Sequence, residues 1–336
     1  MSPLAVIVFA AFTGAGMLSL CGAMARPFDL GRRQGAFAAE AAALGAAAQL
    51  PDAIAARRMA ARLVQANQQD VPGPDVSCDA DTDIEVYRPH DATPLPSPFD
   101  RLGPQCMAVT VTTHAASLLA DKLPLPAALR RFDCSRTVAR GPAAEAVCDP
   151  VYILAAEPLQ IGRRYECSYV KDPLAATEGG VSFGWMELAG EADEGAQLAA
   201  LACDPSARLA DGRPALQIGD VVQPRRPQNA EAWLQALVGD GEHPGRLYRA
   251  AQKPYCEQDM ERHSSRHPRL LIVPLVSSGP QGLEVRSLVA MWLEAAQIGA
   301  DGSLRITLQP VRHTLPRGKV APAAAGATLY AREVVD

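Results

Sequence analysis

The chain is poor in the residues that usually advertise chemistry. Aromatics are only 5% of its 336 residues, and its formal net charge is −5 with the basic residues dispersed. No basic stripe marks a nucleic-acid surface, so that class of partner is excluded. There is no Gly-x-Ser-x-Gly elbow, no glycine-rich phosphate loop and no Cys-x-x-Cys pair. Each absence removes a reaction class: the Ser277-Ser278-Gly279 run has no His and Asp partner in pattern, and Gly179-Gly180 reads as a hairpin turn. His263 and His267 stand four apart downstream of Cys256, yet Ser264-Ser265-Arg266 between them offers no general base. Neither a metal nor any other cofactor is expected, and no catalytic residue is assigned.

What is present is apolar and small. Hydrophobic residues make up 48% of the chain, enough for a core and for more than one domain. Leu4 to Ala25 carries no charge. As a helix of about 22 residues it would be ~33 Å long, against a hydrocarbon core of ~30 Å, so it reads as a single membrane span. Ala11, Ala15, Ser19 and Ala23 recur every four residues along it, a small-residue face of the kind on which membrane helices pack.

Two signals set the orientation and they conflict. Arg26, Arg32 and Arg33 follow the span and favour a cytoplasmic body. Against them stand seven scattered cysteines, Cys78, Cys106, Cys134, Cys148, Cys167, Cys203 and Cys256, in Pro-rich, loop-like contexts without metal spacing. Such usage suits disulfides and an oxidising compartment. The cysteines outweigh the arginines: the expectation is a membrane-anchored protein whose body lies in an oxidising compartment and carries disulfides of unassigned pairing.

Beyond the span, a helix is expected to continue from Phe28 through the alanine-rich Gly35 to Ala48, and Pro51-Asp52 ends that helix and opens another over Ala53 to Asn67. After Pro72-Gly73-Pro74 the pattern changes to alternation. Asp83 to Tyr87 and Met107 to Thr113 read as strands, a short helix is expected over Ala115 to Lys122, and a third strand over Ser135 to Ala139. Val151 to Ala155, Leu270 to Val276, Leu283 to Glu294, Leu304 to Val311 and Thr328 to Val334 are further strand candidates, with a helix over Glu194 to Ala202. Asp149, in Cys148-Asp149-Pro150, reads as a turn initiator. The expected architecture is α+β: an anchor over 1–26, an Ala-rich helical stalk over 27–70, a small β-containing domain over 71–142 and a C-terminal α+β domain over 143–336.

Asp29-Leu30-Gly31-Arg32 followed by Ala39-Glu40-Ala41-Ala42-Ala43-Leu44-Gly45-Ala46 resembles the signature of TadG-like Flp/Tad pilus-assembly proteins, with Glu40 in place of the usual Asp. Met107 to Ala139, Cys148-Asp149-Pro150, Ser182-Phe183-Gly184-Trp185 and Arg269 to Val276 with Val289 to Leu293 resemble later segments of that family. The resemblance implies a single-pass protein of the bacterial inner membrane with a periplasmic body, in which 71–142 is a pilin-like domain: a membrane-anchored, minor pilin-like component, at the tip or anchor of a Tad-type pilus, acting by helix packing and protein recognition rather than catalysis. Its implied partners are pilin-like subunits, the Tad secretion machinery and the inner membrane, in a homo- or hetero-oligomer. A different class, an anchored extracytoplasmic ligand-binding protein or hydrolase, is the alternative. Larger family members carry a von Willebrand A domain with an Asp-x-Ser-x-Ser metal motif. Asp133-Cys134-Ser135-Arg136-Thr137 has a similar form, but the residues before it make no buried strand, so no metal is assigned there.

Overall fold

A computed structural model describes residues 29–70, 75–87, 105–117, 124, 126, 130–173, 180–187, 194–202, 215–226, 229–239, 242–243, 245–251, 267–279, 281–298, 303–315, 318–321 and 327–335. Two compact units divide it, the first holding Met1–Asp100, Met107–Arg140 and Val334–Asp336, the second Arg101–Cys106 and Gly141–Glu333.

In the first unit, helix α1 (29–49) and helix α2 (Ala53–Asp70) form a hairpin around a cis Leu50–Pro51 bond. Asp52 starts α2 by accepting from the amides of Ile54 and Ala55 at 3.0 Å each. Four antiparallel strands follow. β3 (Met107–Ala116) is central, with β1 (Val76–Ser77) and β2 (Ile84–Tyr87) end to end along one side and β4 (Arg131–Pro142) along the other. Alternation decides what each strand face does. Val109, Val111, Ala115 and Val138 pack with Ala38, Ala42, Ala43, Ala46, Ala56 and Ala60 of the hairpin in one buried cluster.

Small side chains set how closely these layers approach. A Cβ on Gly35 would lie 3.0 Å from Ala115 Cβ and 3.1 Å from Cys134 Sγ, so α1 meets the sheet there with no room to spare. The Thr113 hydroxyl donates to the Gly35 carbonyl at 2.8 Å, and Cys134 Sγ to the Arg32 carbonyl at 3.5 Å. Arg140 donates to the Leu50 carbonyl at the hairpin turn.

The second unit is sheet closed on itself. It holds β5 (Glu145–Ala146), β6 (Val151–Ala155), β7 (Tyr165–Tyr169), β8 (Val181–Met186), β9 (Leu216–Gln217), β10 (Val221–Val222), β11 (Pro224–Arg225), β12 (Leu270–Gly279), β13 (Gly282–Ile298), β14 (Leu304–Pro310), β15 (His313–Thr314) and most of β16 (Leu329–Val335). Pairing runs β13-β12-β6-β8-β7-β14 and returns to β13, a six-strand ring with no free edge between its members. β13 makes the closure possible: its first part pairs with β12, and its last with β14 from Met291 onward. Register shifts at Leu275/Val276 and at Leu293/Ala295 bend it between the two.

Alternate residues of the ring feed two apolar clusters. One gathers Val151, Ile153, Phe183, Trp185 and Met291 with Trp233 and Leu237 of the helix Ala230–Val238; the other gathers Tyr152, Leu288, Ala290 and Trp292 with Leu329 and Ala331. Trp185 lies 5.0 Å from Trp233 and meets Phe183 edge-on at 5.4 Å. Arg246, 2% exposed, donates to the carbonyls of Leu201, Pro268 and Leu270 and pairs with Asp149, whose Oδ2 also accepts from the Ile272 amide at 2.8 Å.

These observations correct three expectations. The first is fold class: the described chain is mostly sheet, with sixteen strands, rather than an α+β body on a helical stalk. The helices read as a stalk do not stand free, because burying their alanine face against their own sheet removes that surface from water. Alternation marked the strands singly, but nothing local reveals that six of them close into a ring.

The second is membrane placement. Among the described residues no helix is long and apolar enough to cross a membrane, which goes against a single-pass inner-membrane protein. α1 carries Asp29, Arg32, Arg33 and Glu40 along its length. The expected span, Leu4 to Ala25, lies outside the described residues, as does its packing face of Ala11, Ala15, Ser19 and Ala23.

The third is the disulfides. None of Cys78, Cys106, Cys134, Cys148 and Cys167 is in a disulfide, while Cys203 and Cys256 lie outside the described residues. The five behave as small apolar side chains dispersed through separate packing sites. Cys106 Sγ donates to the Ala321 carbonyl and Cys148 Sγ to that of Ala146, both at 3.6 Å. Burial pushes the Cys167 thiol up to about 12 and the Cys148 thiol higher still, and burial with the charges of Asp83 and Asp79 takes Cys78 to about 11. Thiolate, the reactive form, is thereby suppressed.

Candidate recognition face

With one side of its sheet sealed by the helical hairpin, the first unit presents the other side of β2, β3 and β4 as a polar face. The register builds it in rows: Thr110 stands opposite Thr137, Thr112 opposite Ser135, and His114 opposite Asp133. Each row is closed by a side-chain hydrogen bond. The Thr110 and Thr137 hydroxyls are 2.8 Å apart, as are those of Thr112 and Ser135, and His114 Nδ1 lies 2.6 Å from Asp133 Oδ1. Across β2, Glu85 stands opposite Thr110 and takes a hydrogen bond from the Tyr87 hydroxyl. Cross-strand pairs of this kind fix side chains in place and lower the entropy that a binding partner would have to remove.

His114 is the most constrained group on the face. Its Nε2 meets Asp83 Oδ2 at 3.1 Å while Nδ1 meets Asp133, with Arg131 3.6 Å from the latter carboxylate. Burial pulls its pKa down, but the hydrogen bonds of Asp133 and Asp83 and the charge of Asp83 outweigh burial and the opposing Arg131, so the net shift is upward. A ring with both nitrogens facing carboxylates, which favour its cationic form, is placed as a brace rather than as a general base.

The structure places the remaining sequence-level candidates elsewhere. Asp133, Ser135 and Thr137, the residues of the Asp-x-Ser-x-Thr segment, alternate along one face of β4 and bind across to β3. Among the described residues no group of three His, Cys, Asp or Glu is placed to hold a metal ion. His263 and Cys256 lie outside the described residues; His267 stacks on Trp292 with ring centres 4.7 Å apart, and its Nδ1 accepts from the Arg269 amide at 3.2 Å. Asp149 is the anchor of a buried arginine rather than a turn initiator alone. In the second unit a cavity of about 300 Å³ opens beside Glu157, Arg163, Tyr165 and Glu166. Arg163 lies over the Tyr165 ring, whose hydroxyl accepts from the Gln160 amide at 2.9 Å.

Sequence reasoning missed this polar face because it ended the strand at Thr113 and opened a helix at Ala115. The available signal was Thr110, Thr112 and His114 at a period of two, which carries the polar side of the strand one residue pair further. No family model matches the chain, and comparison with curated proteins and with solved structures finds no match either.

Proposed function

We propose that the protein is a non-catalytic recognition component of Tad-type pilus assembly, a minor pilin-like subunit whose partners are pilin-like subunits and the Tad secretion machinery. The observation that carries this reading is the asymmetry of the first sheet. One side is sealed by the helices that bear Asp29-Leu30-Gly31-Arg32 and the Ala39 to Ala46 run; the other offers paired hydroxyls and fixed charges to solvent. Because the alanine face of α1 is occupied by its own sheet, recognition falls to the polar face of β2, β3 and β4.

A pre-ordered polar surface suits a specific, reversible protein contact, in which hydrogen bonds set register and orientation. Support for a non-catalytic role comes from His114, whose two nitrogens are both committed to carboxylates, and from buried thiols pushed away from their reactive form. In the source organism, deletion of the gene is expected to reduce piliation, and Thr112→Arg is expected to reproduce the deletion at normal protein level. Normal piliation in both strains would overturn the proposal.

A further inference from the structure

The turn at Asp79–Asp83 is organised around one carboxylate oxygen. Asp83 Oδ2 accepts from the Asp79 amide at 2.7 Å and from His114 Nε2 at 3.1 Å. Asp79 Oδ1 accepts in turn from the amides of Asp81 at 2.8 Å and Thr82 at 3.4 Å, and the Asp83 amide donates to the Asp79 carbonyl at 3.0 Å. With Nδ1 on Asp133 of β4, a single imidazole joins three segments: the turn, β3 and β4. A neutral imidazole has one donor and one acceptor nitrogen, and an ionised carboxylate only accepts. Both contacts therefore hold together only while the ring carries two protons.

We propose that the Asp79–Asp83 turn is a pH-gated flap on the recognition face, closed while His114 is the imidazolium and released when the ring gives up a proton. It rests on the proposed function only for what the flap regulates; the gating belongs to the free chain. β2 itself stays paired, since four register positions with β3 and the Thr112 amide on the Asp83 carbonyl at 2.8 Å hold it independently.

The groups around His114 set the window. From the turn come Asp83 and Asp79, with Cys78 next in sequence; from β4 come Asp133 and Arg131; on β1, Ser77 donates to the His114 carbonyl at 3.5 Å. His114 is raised above 6.5, so its contribution is complete below that value and is lost as pH rises through the raised one. Burial would raise Asp83, but bonds from the Asp79 amide and His114 outweigh it and hold Asp83 below 3.8; its contribution is present above that value and is lost as pH falls through the lowered one. The flap is closed between these limits, and the opening nearer neutrality is the alkaline one.

Amide exchange on the full chain, corrected for the intrinsic effect of pH, tests this. Protection at Asp79 and Thr82 is expected to fall at least about tenfold between about pH 6 and pH 9, with the same midpoint as the His114 ring signals, while β12 and β13 amides stay constant. His114→Gln is expected to show low protection at both ends. Asp133→Asn, at an exposed position, is expected to keep the fold and move the midpoint down. Constant protection while His114 titrates, or an unmoved midpoint in Asp133→Asn, would overturn the flap. Binding to purified major pilin separates the two proposals: gated protection with no pilin binding at either pH keeps the flap and removes the proposed function.

Discussion

The two units solve the exposed-sheet problem in opposite ways. The first leaves its sheet open and covers one side with an alanine-rich hairpin, so the other side must be polar. The second bends its strands into a ring and fills both sides with apolar side chains, including all three tryptophans, Trp185, Trp233 and Trp292. Sheet that is apolar on both faces has no surface left for recognition, whereas sheet covered on one side has a whole face available. Under the proposed function, the comparison assigns stability to the second unit and recognition to the first.

The largest expected effect falls in the second unit. Asp149→Ala leaves Arg246 buried with its charge unpaired, which costs ~3–5 kcal/mol. Urea unfolding followed by tryptophan fluorescence reads this unit alone, and a midpoint within error of the parent chain would break the assignment.

A smaller loss is expected where α1 meets its sheet. Gly35→Leu drives a side chain into Ala115 and Cys134, at a cost of ~1–3 kcal/mol. Here the helical circular-dichroism transition should move while the tryptophan transition does not. Movement of both together would show that the two units do not respond separately.

Much of this was legible one element at a time. Met107 to Thr113 and Leu270 to Val276 show their strands by alternation and β-branched content, and Asp52 announces α2. The ring was not legible, because it depends on partners far apart in sequence, such as Ile153 with Leu275, and on two register shifts that no local pattern encodes. The anchoring role of Asp149 was hidden for the same reason: its partner Arg246 is 97 residues away. The cysteines misled because spacing carries no information on depth. Cys134 and Cys148 are buried, and only the fold reveals it.

Smaller again is the effect of removing one hydroxyl from the recognition face. Thr110→Val breaks the pair with Thr137 at a partly exposed position and should change stability by no more than ~0.5 kcal/mol in thermal unfolding. A loss several times larger would mean that the hydroxyl rows brace the sheet rather than serve a partner. The smallest expected effect is that of reductant. With five described cysteines outside any disulfide, a reducing agent should leave the melting temperature unchanged, and thiol titration after denaturation without reductant should count at least those five. Fewer reactive thiols would restore the disulfides.

The central claim is that a folded, polar sheet face does the work, and Thr112→Arg tests it most directly, since it places a large charge in the middle of that face without entering a core. Affinity for purified major pilin and melting temperature are to be measured on the same preparation. The account predicts an unchanged melting temperature with binding reduced at least about tenfold, the loss of roughly one interfacial anchor. Undiminished binding by a folded Thr112→Arg chain would contradict it.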